Sequence, residues 1–231
     1  MLIVVFLGFA PTYYLDPYFD TAVEFRPMPA YLMIHALVLT MWFVGRVVQS
    51  GLIQTGRRNM HRTLGMIGAG LAAGVVITGI VATVNAIPHA EEFGIAPRAR
   101  LDVLVASNTS NLLVFVTLVS LALRYRPKPL YHKRLMLIAS IAIIGPAVSP
   151  LRALGNFLGS LLPGSISIPV PLIFWMLLVA SIVLHDLSSI RRIHPATLWG
   201  GCMKAAATVV TISLVNSGHA ASYVNWIESW L

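Results

Sequence analysis

The sequence predicts an all-helical bundle that crosses a membrane about seven times, as a single transmembrane domain over residues 1–231. Of its 231 residues, 57% are hydrophobic and 10% are charged, whereas a soluble domain has about 25% charged residues. Several separate apolar runs of about 20 residues match the hydrocarbon core of a bilayer. The runs lack the alternation of barrel strands, and lipid cannot bond free backbone groups, so we expect them to be helices.

The first three helices are expected at about 1–15, 30–51 and 62–87. The first is short for a complete span, so it either begins within the bilayer or continues upstream. The second and third flank the basic turn TGRRNMHR and form a hairpin. Gly70 and Gly74 give the third helix a GxxxG step, which lets helix backbones approach closely. We therefore expect it to be the central, tightly packed helix.

The other four helices are expected at about 102–123, 133–153, 168–187 and 196–216. The helix at 102–123 opens with the polar cluster SNTSN, and Pro146 and Pro150 are expected to kink the far end of the next helix. The tail at 219–231 carries its apolar residues on one side, so we expect it to lie flat in the membrane interface. These residues are Val224, Ile227, Trp230 and Leu231.

Basic residues gather in the loops on one side of this predicted bundle. The positive-inside rule places that side in the cytoplasm, together with the amino terminus. We expect the membrane to be a bacterial inner membrane, which puts the carboxyl terminus in the periplasm. We expect the basic loops to contact anionic lipid headgroups. No basic domain lies outside the membrane, so nucleic acid is not an expected partner. The residues are Arg57, Arg58, Arg62, Arg124, Arg126, Lys128, Lys133, Arg134, Arg191 and Arg192.

An internal repeat links three of the helices. MHRTLGMIGA at 60–69 aligns with YHKRLMLIAS at 131–140, and IHPATLWGGC at 193–202 follows more weakly. Each segment places a histidine at the cytoplasmic start of a helix. The repeating unit is then a hairpin, and the predicted architecture is one helix followed by three hairpins of the same orientation.

Four histidines are candidate ligands of a b-type haem. Paired histidines on neighbouring helices give such a haem its two axial bonds inside a helical bundle. His61 and His132 begin different helices at equal depth, and His35 could meet His219 near the other face. The alternatives are an interfacial or capping role for His61 and His132, and a plain interhelical hydrogen bond for His35.

A second candidate site lies along one face of the helix at 30–51. His35, Trp42, Arg46 and Gln49 are separated by steps of seven, four and three residues, so they share that face. The last three could form a pocket for an anionic headgroup or a quinone. The alternative for Arg46 is that its side chain extends along the helix to lipid phosphates.

A third candidate site lies on the outer side of the predicted bundle. Asp102 and Arg152 form a pair of opposite charge there, together with Asn108 and Asn111. They are expected either to lock the fourth and fifth helices together or to line a pocket for a polar ligand.

The sequence predicts no catalytic residues. It contains no Walker loop, Rossmann glycine fingerprint, HExxH or GxSxG motif, and its single cysteine, Cys202, excludes an intrachain disulfide. Lys204 is expected at the cytoplasmic end of the last helix. No acidic residue is expected at a helix centre, which argues against a proton-coupled transporter.

The segment H-x6-W-x3-R-x2-Q at 35–49, followed by GRRNMHRTLG, resembles a family of uncharacterised multi-pass bacterial inner-membrane proteins. YHKRLMLIA and IHPATLWGG extend the resemblance. The histidines at helix ends also resemble those of cytochrome b561-type bundles, which implies haem b and electron transfer.

Three functional hypotheses follow from the sequence. The first is a non-catalytic accessory or ligand-binding subunit of a membrane complex. The alternatives are a b-haem carrier that exchanges electrons with quinone and a small-solute transporter. An enzymatic role, if the chain has one, would be that of an oxidoreductase-type membrane subunit.

Overall fold

The secondary structure of the chain is helical wherever it is described. A computed structural model describes residues 1–10, 14, 29–90, 98–148, 157, 159–161 and 170–231, and no strand occurs among them. The helices are α1 (Leu2–Phe9), α2 (Ala30–Gln54), α3 (Arg58–Asn85), α4 (Arg98–Arg124), α5 (Pro129–Ala142), α6 (Gly145–Val148), α7 (Val170–Ile190), α8 (Pro195–Asn216) and α9 (His219–Glu228).

Five helices in the described part of the chain are long and apolar enough to cross a membrane. They are α2, α3, α4, α8 and the Leu172–Ile190 segment of α7. These helices indicate a multi-pass membrane protein, as the sequence predicts. The exact arrangement of seven spans and three repeats stays a prediction, because α1 has 8 residues and α5 has 14. At 1.5 Å per residue they reach about 12 and 21 Å, less than the hydrocarbon core of about 30 Å.

The helix predicted at 133–153 is interrupted rather than kinked. Helix α5 ends at Ala142, and α6 begins at Gly145 after two residues outside any helix. Pro146 has no backbone N–H, so it cannot donate to the carbonyl four residues earlier, which is that of Ala142. The proline therefore ends the helix one turn before itself. Pro150 lies outside the described residues.

The chain divides into two compact units, of which unit 1 comprises residues 1–27 and 121–201. In its described part, α1 packs against α6, and α5 packs against α7. The contact between α1 and α6 is so close that a Cβ atom on Gly8 would collide with the carbonyl group of Ala147. The core residues are almost wholly inaccessible to solvent and are Val5, Ile138, Ala139, Ile141, Ala142 and Ala147.

Unit 2 comprises residues 28–120 and 202–231 and is built around the α2–α3 hairpin. The rings of Trp42 and Phe115 meet edge to face at 5.0 Å, which joins α2 to α4. At the other end of α4, Val224 from α9 is fully buried against Leu101 and Val105. The predicted apolar side of the tail is thus divided, because Val224 packs into the protein while Trp230 remains exposed.

The prediction that the helix of Gly70 and Gly74 is the central, tightly packed one is wrong. Only 17% of the apolar window of α3 is buried. A Cβ atom on Gly70 would meet nothing within 4 Å, and one on Gly74 would meet only Val38, at 3.5 Å. Close packing on α3 instead occurs at Gly79, where an added Cβ would lie 3.0 Å from Leu112. A GxxxG step permits close helix contact without requiring it.

Candidate functional site

Helices α2 and α3 are joined by a hydrogen bond between His35 and Thr78. The distance from His35 Nδ1 to Thr78 Oγ1 is 2.9 Å, and Thr78 Oγ1 donates its only hydrogen to the Gly74 carbonyl at 2.8 Å. His35 Nδ1 must therefore be the donor, which leaves the Nε2 lone pair as the acceptor of a neutral ring. This is the interhelical hydrogen bond that the sequence offered as the alternative to haem ligation.

A second polar contact joins α2 and α3 nearer to their connecting turn. The side-chain amide of Gln49 is oriented so that its nitrogen donates to His61 Nδ1 and its oxygen accepts from the Gly65 N–H at 3.0 Å. This orientation gives both amide atoms a hydrogen-bond partner. The structure thus brings together Gln49 and His61, which the sequence assigned to different candidate sites. Because Nδ1 accepts, a neutral His61 carries its hydrogen on Nε2.

Arg46 differs from the other three side chains on the predicted α2 face. Trp42 is buried, with 2% of its surface exposed, and its partner is Phe115. Arg46 is half-buried, and its guanidinium forms no hydrogen bond or ion pair with any described residue. It lies eight residues before Gln54, the last residue of α2, at a distance of about 12 Å along the axis. A cation at this depth has left bulk water without gaining a partner from the part of the chain that the structure describes.

The remaining haem candidates, His132 and His219, have separate surroundings. His132 Nδ1 donates to the Ala122 carbonyl at 2.9 Å. His219 is exposed and lies 2.7 Å from Ser217 Oγ. His132 belongs to unit 1, whereas His61, His35 and His219 belong to unit 2. No group of three or more His, Cys, Asp or Glu side chains that could hold a metal occurs in the described ranges.

The polar cluster at 107–111 lies at the middle of α4 rather than at its start, because α4 begins at Arg98. Asn108 donates to Thr83 on α3 at 3.3 Å, and Ser110 donates to the Ala207 carbonyl on α8 at 3.4 Å. Thr109 lies 3.4 Å from the hydroxyl of Tyr223 on α9. These long, weak bonds connect α4 to three other helices of unit 2.

The remaining members of the third candidate site are not brought together with Asn108 in the described residues. Asp102 lies 3.9 Å from Arg98, one turn earlier on the same helix. Arg152, its predicted partner, is outside the described part of the chain, and Asn111 is half-buried on α4. The lock between the fourth and fifth helices therefore stays a prediction.

Unit 1 contains a buried ionic cluster that the sequence did not predict. Arg134 and Asp186 are exposed over 1% and 0% of their surface. Arg134 Nε donates to Asp186 Oδ1 at 2.7 Å, Nη2 donates to the same oxygen, and Nη1 donates to the Leu130 carbonyl at 3.0 Å. Asp186 Oδ2 accepts the His194 N–H at 3.0 Å and the Thr197 hydroxyl at 2.6 Å. Both carboxylate oxygens are therefore satisfied, as a buried charge requires.

The sequence contained one signal for this cluster. Asp186 is the only acidic residue between 103 and 227, and basic residues surround it. Asp186 falls next to the last residue of the helix predicted at 168–187, whereas α7 continues to Ile190 and Asp186 is fully buried.

His194 caps the first turn of α8. The Ala196 N–H donates to His194 Nδ1 at 3.1 Å, and Pro195 occupies the first helical position. The ring also meets Tyr131 edge to face at 4.6 Å. Burial lowers the pKa of the His194 imidazole, and the positive charge of Arg134 lowers it further, against an opposing contribution from Asp186. The ring therefore stays neutral and keeps its Nδ1 lone pair for the cap.

Lys204 does not lie at the end of its helix, as the sequence analysis expected. It is the tenth of the 22 residues of α8, about 14 Å from the start of the helix and close to its middle. Its ammonium donates to Thr208 Oγ1 at 2.9 Å, and Thr208 donates to the Lys204 carbonyl at 3.0 Å. An ionisable group at this depth is a functional candidate.

The fold and these sites define a class, the helical multi-pass membrane proteins. Within that class, comparison with protein-family models, curated proteins and solved structures gives no match for this chain.

Proposed function

We propose that this chain is a non-catalytic, ligand-binding subunit of a membrane complex, and that its ligand is an anionic amphiphile held by Arg46. The observation that supports the proposal is the guanidinium of Arg46, which lies inside a membrane-spanning helix and has no partner among the described residues. An unpaired charge in an apolar environment is costly, so an anion that reaches it is bound favourably.

The chemistry of guanidinium favours a phosphate or carboxylate headgroup. Its planar donors match two oxygens of such a group at once. The ligand is an amphiphile because Ile53, an exposed apolar side chain seven residues after Arg46, lies on the same side of α2 and would contact its acyl chain.

An accessory role is supported by the apolar surface of the spanning helices. Between 11% and 33% of each apolar window is buried within the chain. The remaining surface suits lipid or the helices of other membrane subunits.

Lipid binding to the delipidated, detergent-purified protein tests the proposal. Native mass spectrometry would compare the wild type with Arg46→Gln, using phosphatidylglycerol, a fatty acid and phosphatidylcholine as probes. The first two distinguish a phosphate from a carboxylate ligand, and the third is the uncharged control. Loss of a charge-assisted bond of about 1.5–3 kcal/mol should weaken anionic binding about tenfold or more.

Arg100→Gln is the matched control, because Arg100 is an exposed arginine on α4 that does not belong to the basic loops expected to contact headgroups. It should retain wild-type binding. If Arg46→Gln binds the anionic probes as tightly as the control does, or if phosphatidylcholine binds equally well, the proposal is wrong.

Haem binding is a second candidate, and the tautomer of His35 favours it. Its ring donates from Nδ1 to Thr78 Oγ1 and leaves Nε2 unprotonated, which is the arrangement of a metal-bound histidine. Ligation by His61 would require Gln49 to release its Nδ1. A visible absorption spectrum of the purified protein tests for haem. A Soret band that is lost in His132→Ala or His35→Ala would support haem binding, and a colourless protein would exclude it.

Transport of a small solute is a third candidate, and the depth of Lys204 favours it. A cation at the middle of a spanning helix marks a substrate or ion pathway in many membrane proteins. Uptake of a labelled organic anion into vesicles would test this role. Equal uptake by the wild type and by Lys204→Met and Arg46→Ala variants would argue against it.

A further inference from the structure

Helix α9 has one face packed on the protein. Val224 is fully buried, together with Leu101 and Val105 of α4 and Ile87, and Ile227 packs against this cluster. The hydroxyl of Tyr223 lies 3.4 Å from Thr109. Residues 220, 223, 224 and 227 are spaced as one side of a helix, so this side is the docked one.

An ion pair fixes α9 at the start of a membrane-spanning helix. Arg98, the first residue of α4, donates from Nη2 to Glu228 Oε2 at 2.6 Å and from Nη1 to Oε1 at 3.3 Å. The same Nη2 donates to Asn225 Oδ1 at 2.8 Å. Because α4 begins at Arg98 and then crosses the membrane, these bonds hold the end of α9 that carries Asn225 and Glu228 at the level of the membrane boundary.

The turn that precedes α9 allows the chain to leave the axis of α8. Gly218 lies between the two helices and has a φ of 77°, in the left-handed region that favours glycine. Helix α9 is therefore a separate element rather than an extension of the span.

Outside its docked side, α9 carries the exposed Trp226, and the exposed Trp230 follows two residues after the end of the helix. Trp226 and Trp230 are one turn apart, with 59% and 77% exposure, and their rings lie 6.5 Å apart. Glu228, the only charged side chain of the helix, is paired with Arg98, and this hydrogen bond lowers the pKa of its carboxyl group. The exposed face thus offers large rings, indole N–H donors and no net charge.

We infer that α9 is an interfacial anchor, whose Trp226 and Trp230 insert among the headgroups and upper acyl chains of the leaflet at the start of α4. Tryptophan favours this region because its ring is apolar and its N–H is polar. An uncharged face suits lipid of any headgroup charge, so the anchor does not depend on the anionic ligand proposed for Arg46. Anchoring α9 also fixes the depth at which α4 enters the membrane, through Arg98.

Depth-dependent fluorescence quenching tests this inference on the full chain. The wild type and the Trp226→Phe/Trp230→Phe variant would be reconstituted into phosphatidylcholine vesicles with bromine near the headgroup or near the chain end. The difference between their emission spectra belongs to the tryptophan pair. We expect this component to be quenched most by bromine near the headgroup, and we expect the double variant to lose that quenching.

Trp199→Phe is the matched control, because Trp199 is 73% exposed near the start of α8. Its removal should leave the component of the pair unchanged. Stronger quenching by chain-end bromine, or quenching by aqueous iodide alone, would overturn the inference. Protection from both lipid and water would also overturn it, since a protein partner would then cover the helix.

Discussion

Arg134 in unit 1 and Arg46 in unit 2 are both arginines on helices of a membrane protein, yet their surroundings are opposite. Arg134 is fully buried, and Asp186 and the Leu130 carbonyl accept its hydrogen bonds. Arg46 is half-buried and has no partner among the described residues. A paired charge holds helices together, whereas an unpaired charge remains available to a ligand. The comparison separates a structural arginine from a candidate binding arginine.

Replacing Asp186 should produce the largest effect on stability. Asp186→Ala leaves the guanidinium of Arg134 buried without a counter-ion and removes the acceptor of two further hydrogen bonds. Removing one partner of a buried pair costs about 3–5 kcal/mol of folding free energy. Thermal unfolding of the detergent-solubilised protein would measure the loss.

Two variants sharpen this prediction. Arg46→Gln should leave the unfolding midpoint nearly unchanged, because the guanidinium of Arg46 bonds to none of the described residues. Arg134→Met/Asp186→Leu should recover much of the stability lost in Asp186→Ala, since two apolar side chains can replace a buried ion pair. If Arg46→Gln destabilised the protein as much as Asp186→Ala, the distinction between the two arginines would fail.

Two glycines extend the comparison to packing in the two units. Gly8→Ala in unit 1 should destabilise the fold by about 1–3 kcal/mol, because the new Cβ collides with the backbone of Ala147, which cannot move aside. Gly70→Ala on α3 should stabilise it by about 0.5–1 kcal/mol, because its Cβ meets open space and alanine favours a helix. Unfolding curves of both variants would show whether each change in stability has the predicted sign. A loss of stability in Gly70→Ala would show that α3 packs against another helix at this position.

The cap of α8 should make stability depend on pH. Burial lowers the pKa of His194 below its ordinary value of 6.5, so the unfolded chain binds a proton more readily than the folded one. Stability should be complete above that value and should fall as the pH drops below it towards the lower, folded pKa. Arg134, Asp186, Arg192 and Lys133 contribute the surrounding field.

Unfolding midpoints measured between mildly alkaline and mildly acidic pH would test this dependence. His194→Asn retains a side chain that can cap a helix but does not titrate in this range. It should lose the part of the pH dependence that the wild type shows around the pKa of histidine. An unchanged profile in His194→Asn would mean that other groups cause the effect.

The sequence predicted the spanning helices better than the polar contacts between them. Apolar length alone locates α2, α3, α4, α7 and α8, because the hydrocarbon core sets a minimum for each. Helix ends were missed by several residues, since arginine and histidine continue a helix after the apolar run stops. The α3 boundary at Arg58, instead of 62, is an example.

The buried ionic cluster was missed for a different reason. Arg134 fits the positive-inside pattern as an ordinary loop residue, and pattern alone does not reveal which basic residue folds inward. The choice depends on a contact with Asp186, which is 52 residues away in the chain. On α2, by contrast, helical spacing predicts that His35, Trp42, Arg46 and Gln49 share a side, but it does not predict which of them contact neighbouring helices. In the structure, His35 bonds to Thr78, Trp42 packs against Phe115 and Gln49 bonds to His61.

The pair Arg98–Glu228 should contribute far less to stability than the pair Arg134–Asp186. Its chemistry is that of Arg134–Asp186, but its side chains are 47% and 45% exposed rather than buried. Water and salt screen an exposed pair, so Glu228→Gln should hardly change the unfolding midpoint at neutral pH. The carboxyl pKa is lowered by the hydrogen bond from Arg98, so whatever stability the pair adds is present at neutral pH and lost as the pH falls through that lowered value. Unfolding midpoints of the wild type and Glu228→Gln at low and high salt would measure this contribution to stability. A loss of stability in Glu228→Gln comparable to that in Asp186→Ala would mean that burial does not explain the difference between the two ion pairs.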